Sequence, residues 1–267
     1  MCFLKKQKST IDADALRSEL RDNSVRVIDV RRAEDYKKDH IPKSVNLPLA
    51  ELLSDDTPER VLKITQSLGI DDQTPVVVYD DTFGALASRV AWTLQYLGHS
   101  DVSLLDVTYG QWKSIGLETE SKEQSFGAKT HSMHLRPEIL ATVDYLEKAK
   151  EAKNVILIDN MERLNYLEQH IPGAVNIPYR TLASEDKILR SQDDLKRLLK
   201  NRGINEDSEI ITYCGSVGTL SGLAYYALKS ADYPNVKLYV RSFKEWKGLN
   251  KPIVKQENAD YWDLSAE

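Results

Sequence analysis

Two hydrophobic periods alternate along this chain. Short, continuous apolar runs rich in β-branched residues occur at 25–30, 75–79 and 102–105, and again at 154–158, 209–213 and 236–240. Runs of that length and composition read as buried strands. Between them the apolar positions recur at helical spacing. In "SQDDLKRLLKNRGI", Leu195, Leu198 and Leu199 share one face, Ser191 stands at the N-cap and Gly203 at the stop. Thr57-Pro58 opens the corresponding earlier helix with proline at the first helical position. A further helix is expected over 137–152. Strands alternating with helices predict an α/β fold, with a mainly parallel sheet covered by helices on both faces.

The same pattern is written twice. "VIDVRRAEDYKKDHIPKSVNLP" (27–48) and "LIDNMERLNYLEQHIPGAVNIP" (157–178) share one register, in which Asp29, Tyr36, His40 and Asn46 meet Asp159, Tyr166, His170 and Asn176. After Pro178 the second copy gains residues within "YRTLASEDKILRS". The register then resumes, and Tyr79, Gly84 and Trp112 meet Tyr213, Gly218 and Trp246. A fixed offset held over most of each copy marks a duplicated domain. The first domain is expected over 9–117 and the second over 137–255. The polar, aperiodic stretch 118–136 reads as the linker.

Composition narrows the class. The chain has 267 residues, 41% hydrophobic and 29% charged, with a formal net charge of −5. This is an ordinary globular balance, and it offers no basic excess for nucleic acid. No apolar run approaches the roughly 18 residues of a membrane span, and the start "MCFLKKQKST" lacks a signal-peptide core. With two cysteines there is no disulfide framework. The expected location is the cytoplasm, without nucleic-acid or membrane partners.

Cys214 carries the candidate chemistry. It follows the strand pattern "EIITY" and precedes Gly215-Ser216-Val217-Gly218-Thr219, after which a helix runs with Leu220, Leu223, Ala224, Ala227 and Leu228 on one face. The thiol is therefore expected at a strand's carboxyl end, where ligands bind in open α/β sheets, on a loop leading into a helix N-terminus. Such a terminus presents N–H groups that favour thiolate and hold anions, and glycines let successive N–H groups turn inward. A buried cysteine ending a core strand is the commoner fate of an isolated cysteine. The glycine-bearing loop and the repeat favour the nucleophile, because the first copy has Asp80 at the same position and keeps its scaffold without a thiol. A metal role has little support: the close pair His131-x-x-His134 sits in the linker, and no second cysteine is near.

Taken together, "HIPKSVNLP" with "HIPGAVNIP", "VVVYD" with "ITYCGSVGT", and the closing "GQW" and "KEW" resemble the tandem-domain rhodanese superfamily of sulfurtransferases. The resemblance implies two rhodanese-like domains, the first inactive and the second carrying a persulfide-forming Cys214. It implies covalent double displacement, with no metal or organic cofactor. The donor would be thiosulfate or 3-mercaptopyruvate, and the acceptor a thiophile such as cyanide, a thiol or a protein thiol. Gly215, Val217, Gly218 and Thr219 would shape the donor site. In the mercaptopyruvate branch, whose loop reads Cys-Gly-Ser-Gly-Val-Thr, a serine works with a first-domain histidine and aspartate. The matching residues here are Ser216, His40 and Asp29.

The chain also departs from the family. Met161 and Asn165 stand where arginines usually bind the donor anion, leaving Arg163, Arg180 and Arg241 as replacements. A phosphatase on this fold would need an arginine six residues after the cysteine, and that residue is Leu220. A non-catalytic sulfur carrier or regulatory binding module is the rival from another class. His170 and Asp159 are expected to brace their own corner, and Trp112 and Trp246 to pack in the core. Arg89 is read as either an ion-pair partner or a residue at the domain interface.

Overall fold

The computed structural model describes residues 9–149, 152 and 154–255. The amino-terminal start discussed above, with Cys2, lies outside the described residues. The chain divides into two compact units, and each is an α/β layer structure.

In the first unit the strands are β1 (Thr10–Ile11), β2 (Arg26–Asp29), β3 (Val45–Asn46), β4 (Val76–Tyr79) and β5 (Val102–Leu105). They form a parallel sheet in the order β1-β5-β4-β2-β3. Every residue of β2 and β4 is buried, as a sheet covered on both faces requires. Val77 and Tyr79 face a core with Leu16, Leu20, Tyr109 and Trp112, while the opposite face receives the helix Ala85–Tyr96.

The second unit repeats this plan with β6 (Val155–Asp159), β7 (Val175–Asn176), β8 (Glu209–Tyr213) and β9 (Val236–Leu238), in the parallel order β7-β6-β8-β9. Ile211 and Tyr213 pack with Leu146 and Trp246 on one face. The other face meets the helix Thr219–Ser230, where the Thr212 hydroxyl donates to the Ser221 carbonyl at 3.1 Å. Both indoles are core residues, 1% and 0% exposed, and their N–H groups donate to the carbonyls of Glu118 and Pro252.

The six longer strands stand where the apolar runs predicted them. The helix Gln192–Asn201 is capped by the Ser191 hydroxyl, and Pro58–Ser67 starts at its proline. The expected helix over 137–152 is instead a 3-10 turn at Pro137–Ile139 and a helix at Val143–Ala149, and residues 150 and 151 of that range lie outside the described residues. The interruption has a tertiary cause. Leu140 bridges Leu238 in parallel, and the Ala141 N–H donates to the Leu238 carbonyl at 3.0 Å, so the chain runs extended along the sheet edge before Thr142 caps the next turn.

The segment 118–136 is tied to the first unit, which runs through Arg136 and takes in Glu185–Ile188. The Arg26 guanidinium lies 3.0 Å from the Phe126 ring centroid, and Ser132 bonds both carboxylate oxygens of Asp72. His131 is buried with its Nε2 3.0 Å from His99 Nδ1, so it packs the segment 118–136 against the first unit. Among the described residues, no group of three or more His, Cys, Asp or Glu is arranged to hold a metal ion. No described helix is long and apolar enough to cross a membrane.

Candidate active site

Cys214 follows β8 directly and is 2% exposed. The chain turns through Gly215–Gly218 and enters the helix Thr219–Ser230 at Gly218, whose φ is 75°. A Cβ at Gly218 would meet the Val240 methyl at 3.0 Å and its backbone at 3.3 Å, so both backbone conformation and space demand glycine there. Ser216 is exposed at the loop's outer edge, with Gly215, Val217 and Thr219 half-buried beside it.

A residue that sequence reasoning missed holds the cysteine. Ser242 is completely buried in the left-handed region, with φ 57°. Its hydroxyl accepts from the Cys214 N–H at 3.2 Å, lies 3.8 Å from Cys214 Sγ, and donates to the Tyr239 carbonyl at 2.9 Å. The Cys214 and Gly215 carbonyls accept from Phe243 N–H and Lys244 N–H, each at 3.0 Å. The loop is thus pinned from below by the turn 242–244. The repeat register offered the signal: Ser242 matches Thr108, so a hydroxyl stands at this position in both copies.

The matching loop of the first copy shows what this turn can hold. The Asp80 carboxylate accepts four backbone N–H bonds, from Thr82 and Gly84 at 2.8 Å on Oδ1 and from Leu86 and Ala87 at 2.8 and 2.9 Å on Oδ2. Burial pushes this carboxyl up, and the four N–H bonds pull against that shift. Backbone donors converging at a strand-to-helix turn are an anion cradle, filled here by the protein's own carboxylate.

Asp29 and His40 lie in the first unit, and they do not pair with one another. Asp29 is completely buried and is bound by the Arg31 guanidinium, at 2.6 Å on one oxygen, and by the Tyr79 hydroxyl at 2.5 Å. His40 stacks on Tyr36 with ring centroids 3.8 Å apart. Its Nδ1 faces the Tyr36 carbonyl at 2.7 Å and its Nε2 the Lys122 carbonyl at 3.2 Å. His170 repeats the motif, stacking on Tyr166 at 3.8 Å with Nδ1 2.7 Å from the Tyr166 carbonyl.

Asp159 differs sharply from its twin. Oδ1 accepts from the Met161 N–H at 2.8 Å, while Oδ2 has no hydrogen-bond partner among the described residues. With methionine in place of arginine, burial pushes this carboxyl up to about 6, against the opposing pull of the Tyr213 hydroxyl and the Met161 N–H. Met161 shares one apolar cluster with Cys214 and Phe243, and its sulfur stands 3.7 Å from where a Cβ on Gly215 would be. Of the replacement arginines, Arg163 stacks toward the Tyr166 ring at 5.5 Å and Arg180 pairs with Glu162. Among the described residues, neither of these two hydrogen-bonds to the Cys214 loop. Arg89, the other arginine singled out, is buried and pairs with Asp56 at 2.8 Å.

The sequence profile of the Rhodanese-like domain matches the chain twice, over residues 12–115 and 142–249. The 3-mercaptopyruvate sulfurtransferase of Escherichia coli is 29% identical over 266 residues, covering 88% of this chain and 94% of that protein. The sulfur carrier protein TtuD of Thermus thermophilus is 28% identical over 279 residues, covering 92% and 96%. The crystal structure of SseA from Escherichia coli, described as a 3-mercaptopyruvate sulfotransferase with the "Rhodanese" fold, superposes with a TM-score of 0.80 at 26% identity, over 89% of this chain and 99% of that one. The chain belongs to the rhodanese-like family, as a tandem-domain member of its sulfurtransferases.

Proposed function

We propose that Cys214 is the nucleophile of a double-displacement sulfur transfer. Its thiolate attacks the outer sulfur of the donor and forms a persulfide. The S–S bond of thiosulfate breaks and releases sulfite; with 3-mercaptopyruvate the C–S bond breaks, and the carbon takes a proton as pyruvate leaves. A thiophilic acceptor then attacks the outer sulfur and returns the thiolate.

The observation that carries this reading is the Asp80 cradle. Thr82, Gly84, Leu86 and Ala87 donate to that carboxylate. In the repeat register their counterparts are Ser216, Gly218, Leu220 and Ser221, which follow Cys214. A loop that holds a buried carboxylate in one copy suits a thiolate, and then an anionic persulfide, in the other. Ser216, exposed at the loop edge, is the side chain best placed to meet the donor. Asp29 and His40 serve their own corner of the first unit in this reading, since each is already bonded there.

The test is intact mass after exposure to each donor, followed by cyanide-dependent turnover. The wild-type mass should rise by about one sulfur atom, and Cys214→Ser should abolish both the gain and the turnover. Full activity in the serine variant would overturn the proposal. The sulfur carrier among the relatives favours one second reading, in which a protein thiol takes the sulfur. Persulfide formation without cyanide turnover would select it.

A further inference from the structure

A pocket of about 580 Å³ opens in the first unit, lined only by that unit's residues. Its size falls within the roughly 300–1,000 Å³ usual for small-molecule sites. Nothing in the sulfur-transfer reading uses it, because the adjacent loop carries Asp80 in place of a thiol.

Most of its charged lining is already neutralised within the protein. Arg31 is bound to buried Asp29, Lys38 to Asp35 at 3.2 Å, and Lys113 to Asp39 at 2.6 Å. Two lining charges remain. The Arg32 guanidinium has no hydrogen bond or ion pair among the described residues. Asp81 uses one oxygen to accept the Gly110 N–H at 2.8 Å and makes no ion pair among them. Arg32 and Asp81 are not paired with each other. The anion cradle beside them is closed to a ligand, since Asp80 occupies it.

The pocket wall is partly apolar. Leu86 and Tyr109 line it, and Tyr109 is 2% exposed beneath the Arg31 guanidinium, 3.7 Å from its ring centroid. The buried Tyr109 hydroxyl is directed at the Asp39 carboxylate, and burial together with that interaction pushes the phenol up.

We infer that this pocket binds a small zwitterion of the amino-acid class, of free amino acid to short-peptide size. Its carboxylate meets Arg32, which offers a bidentate fork. Its ammonium group faces Asp81, and its side chain lies along Leu86 and Tyr109. A simple anion would leave Asp81 opposing it, and a simple cation would leave Arg32 opposing it. One unpaired charge of each sign selects a ligand carrying both.

The experiment uses full-length Cys214→Ser protein, which removes the thiol and any sulfur transfer from the readout. Ligand-observed NMR titration compares S-methyl-L-cysteine with two single-charge analogues, 3-(methylthio)propanoate and 2-(methylthio)ethylamine. S-methyl-L-cysteine should bind saturably, and each analogue about tenfold or more weaker, the loss of one charged contact. Arg32→Gln should weaken S-methyl-L-cysteine by about tenfold and leave the amine analogue unchanged, and Asp81→Asn should weaken it similarly and leave the carboxylate analogue unchanged. Both side chains are exposed and the asparagine oxygen keeps the Gly110 bond, so unchanged melting temperatures confirm intact folding. Absence of saturable binding overturns the assignment, as does an affinity unmoved by either substitution. Equal binding of the carboxylate analogue also overturns it, by making the pocket a plain anion site.

Discussion

In the first unit the loop after β4 closes around a carboxylate; in the second, the loop after β8 begins with a thiol. The supporting frame is shared. Each loop enters its helix through a glycine with positive φ, 84° at Gly84 and 75° at Gly218. The corners beside the loops differ in the opposite sense. Asp29 is locked by Arg31 and by a close Tyr79 bond, whereas Asp159 has Met161 in place of the arginine, a weaker interaction with Tyr213, and one oxygen without a close hydrogen bond. The first copy has satisfied both its cradle and its buried acid internally, and both groups are fixed. The second holds its buried acid less tightly, and that copy carries the thiol proposed as the nucleophile. A buried acid held less tightly than its twin, in the copy with the proposed nucleophile, fits a site where function has displaced stability.

The largest effect on this contrast comes from emptying the first cradle. Asp80→Ala leaves four buried or half-buried N–H groups without their acceptor, so thermal unfolding of the first unit should weaken by roughly 2–4 kcal/mol, which is several degrees in Tm. Asp80→Asn, which keeps one acceptor oxygen, should recover part of the loss. Turnover measured well below the transition should stay within a few-fold of wild type, because carboxylate oxygen stores no sulfane sulfur. An activity loss matching that of Cys214→Ser would put the chemistry in the wrong copy.

Asp159 gives the next effect. An aspartate has an ordinary pKa of about 3.9, and burial raises this one to about 6 in the folded chain. Between these values the folded state binds more protons than the unfolded state, so stability falls as pH rises from about 4 to 6, by about 3 kcal/mol. The loss is complete above the folded value. Asp159→Asn keeps an acceptor for the Met161 N–H and carries no charge to bury. Its denaturant midpoint should therefore fall less over that pH interval than the wild type's, and exceed the wild type's at pH 7. Asp29→Asn should behave oppositely at pH 7, because it strands the buried Arg31 guanidinium. Parallel pH curves for wild type and Asp159→Asn would show that this carboxyl is paired after all.

Much of this contrast was legible in the sequence, and the reasons for the remainder are physical. Periodicity located the six longer strands, and the repeat register placed Cys214 at a strand's end and Asp80 opposite it. The two-residue strands β1, β3 and β7 are too short to leave a period. Helix propensity over 137–152 yielded to a tertiary bond, the pairing of Leu140 and Ala141 with Leu238. Asp80 reads in sequence only as a missing thiol, because backbone N–H donors carry no residue signature. Ser242 escaped for a related reason: its hydroxyl reaches Cys214 only once the turn after β9 has folded beneath the loop.

The smallest predicted effect concerns the histidine pair, where the two copies agree. His40 and His170 each stack on a tyrosine four residues earlier and bond its carbonyl through Nδ1. His40 adds a contact from Nε2 to the Lys122 carbonyl and is fully buried, while His170 is 8% exposed. A bracing role therefore predicts that His40→Asn and His170→Asn both reduce stability by about 1–2 kcal/mol, with His40 the more costly of the two. Donor turnover should change little, and equally for thiosulfate and 3-mercaptopyruvate. A proton-donating role predicts a different pattern. Loss of a positioned acid typically costs about 10²–10⁴-fold in rate, and only where the leaving group needs a proton, as the pyruvate carbon does and sulfite does not. A selective loss of 3-mercaptopyruvate turnover in His40→Asn, absent in His170→Asn, would therefore separate the twins and assign His40 to catalysis.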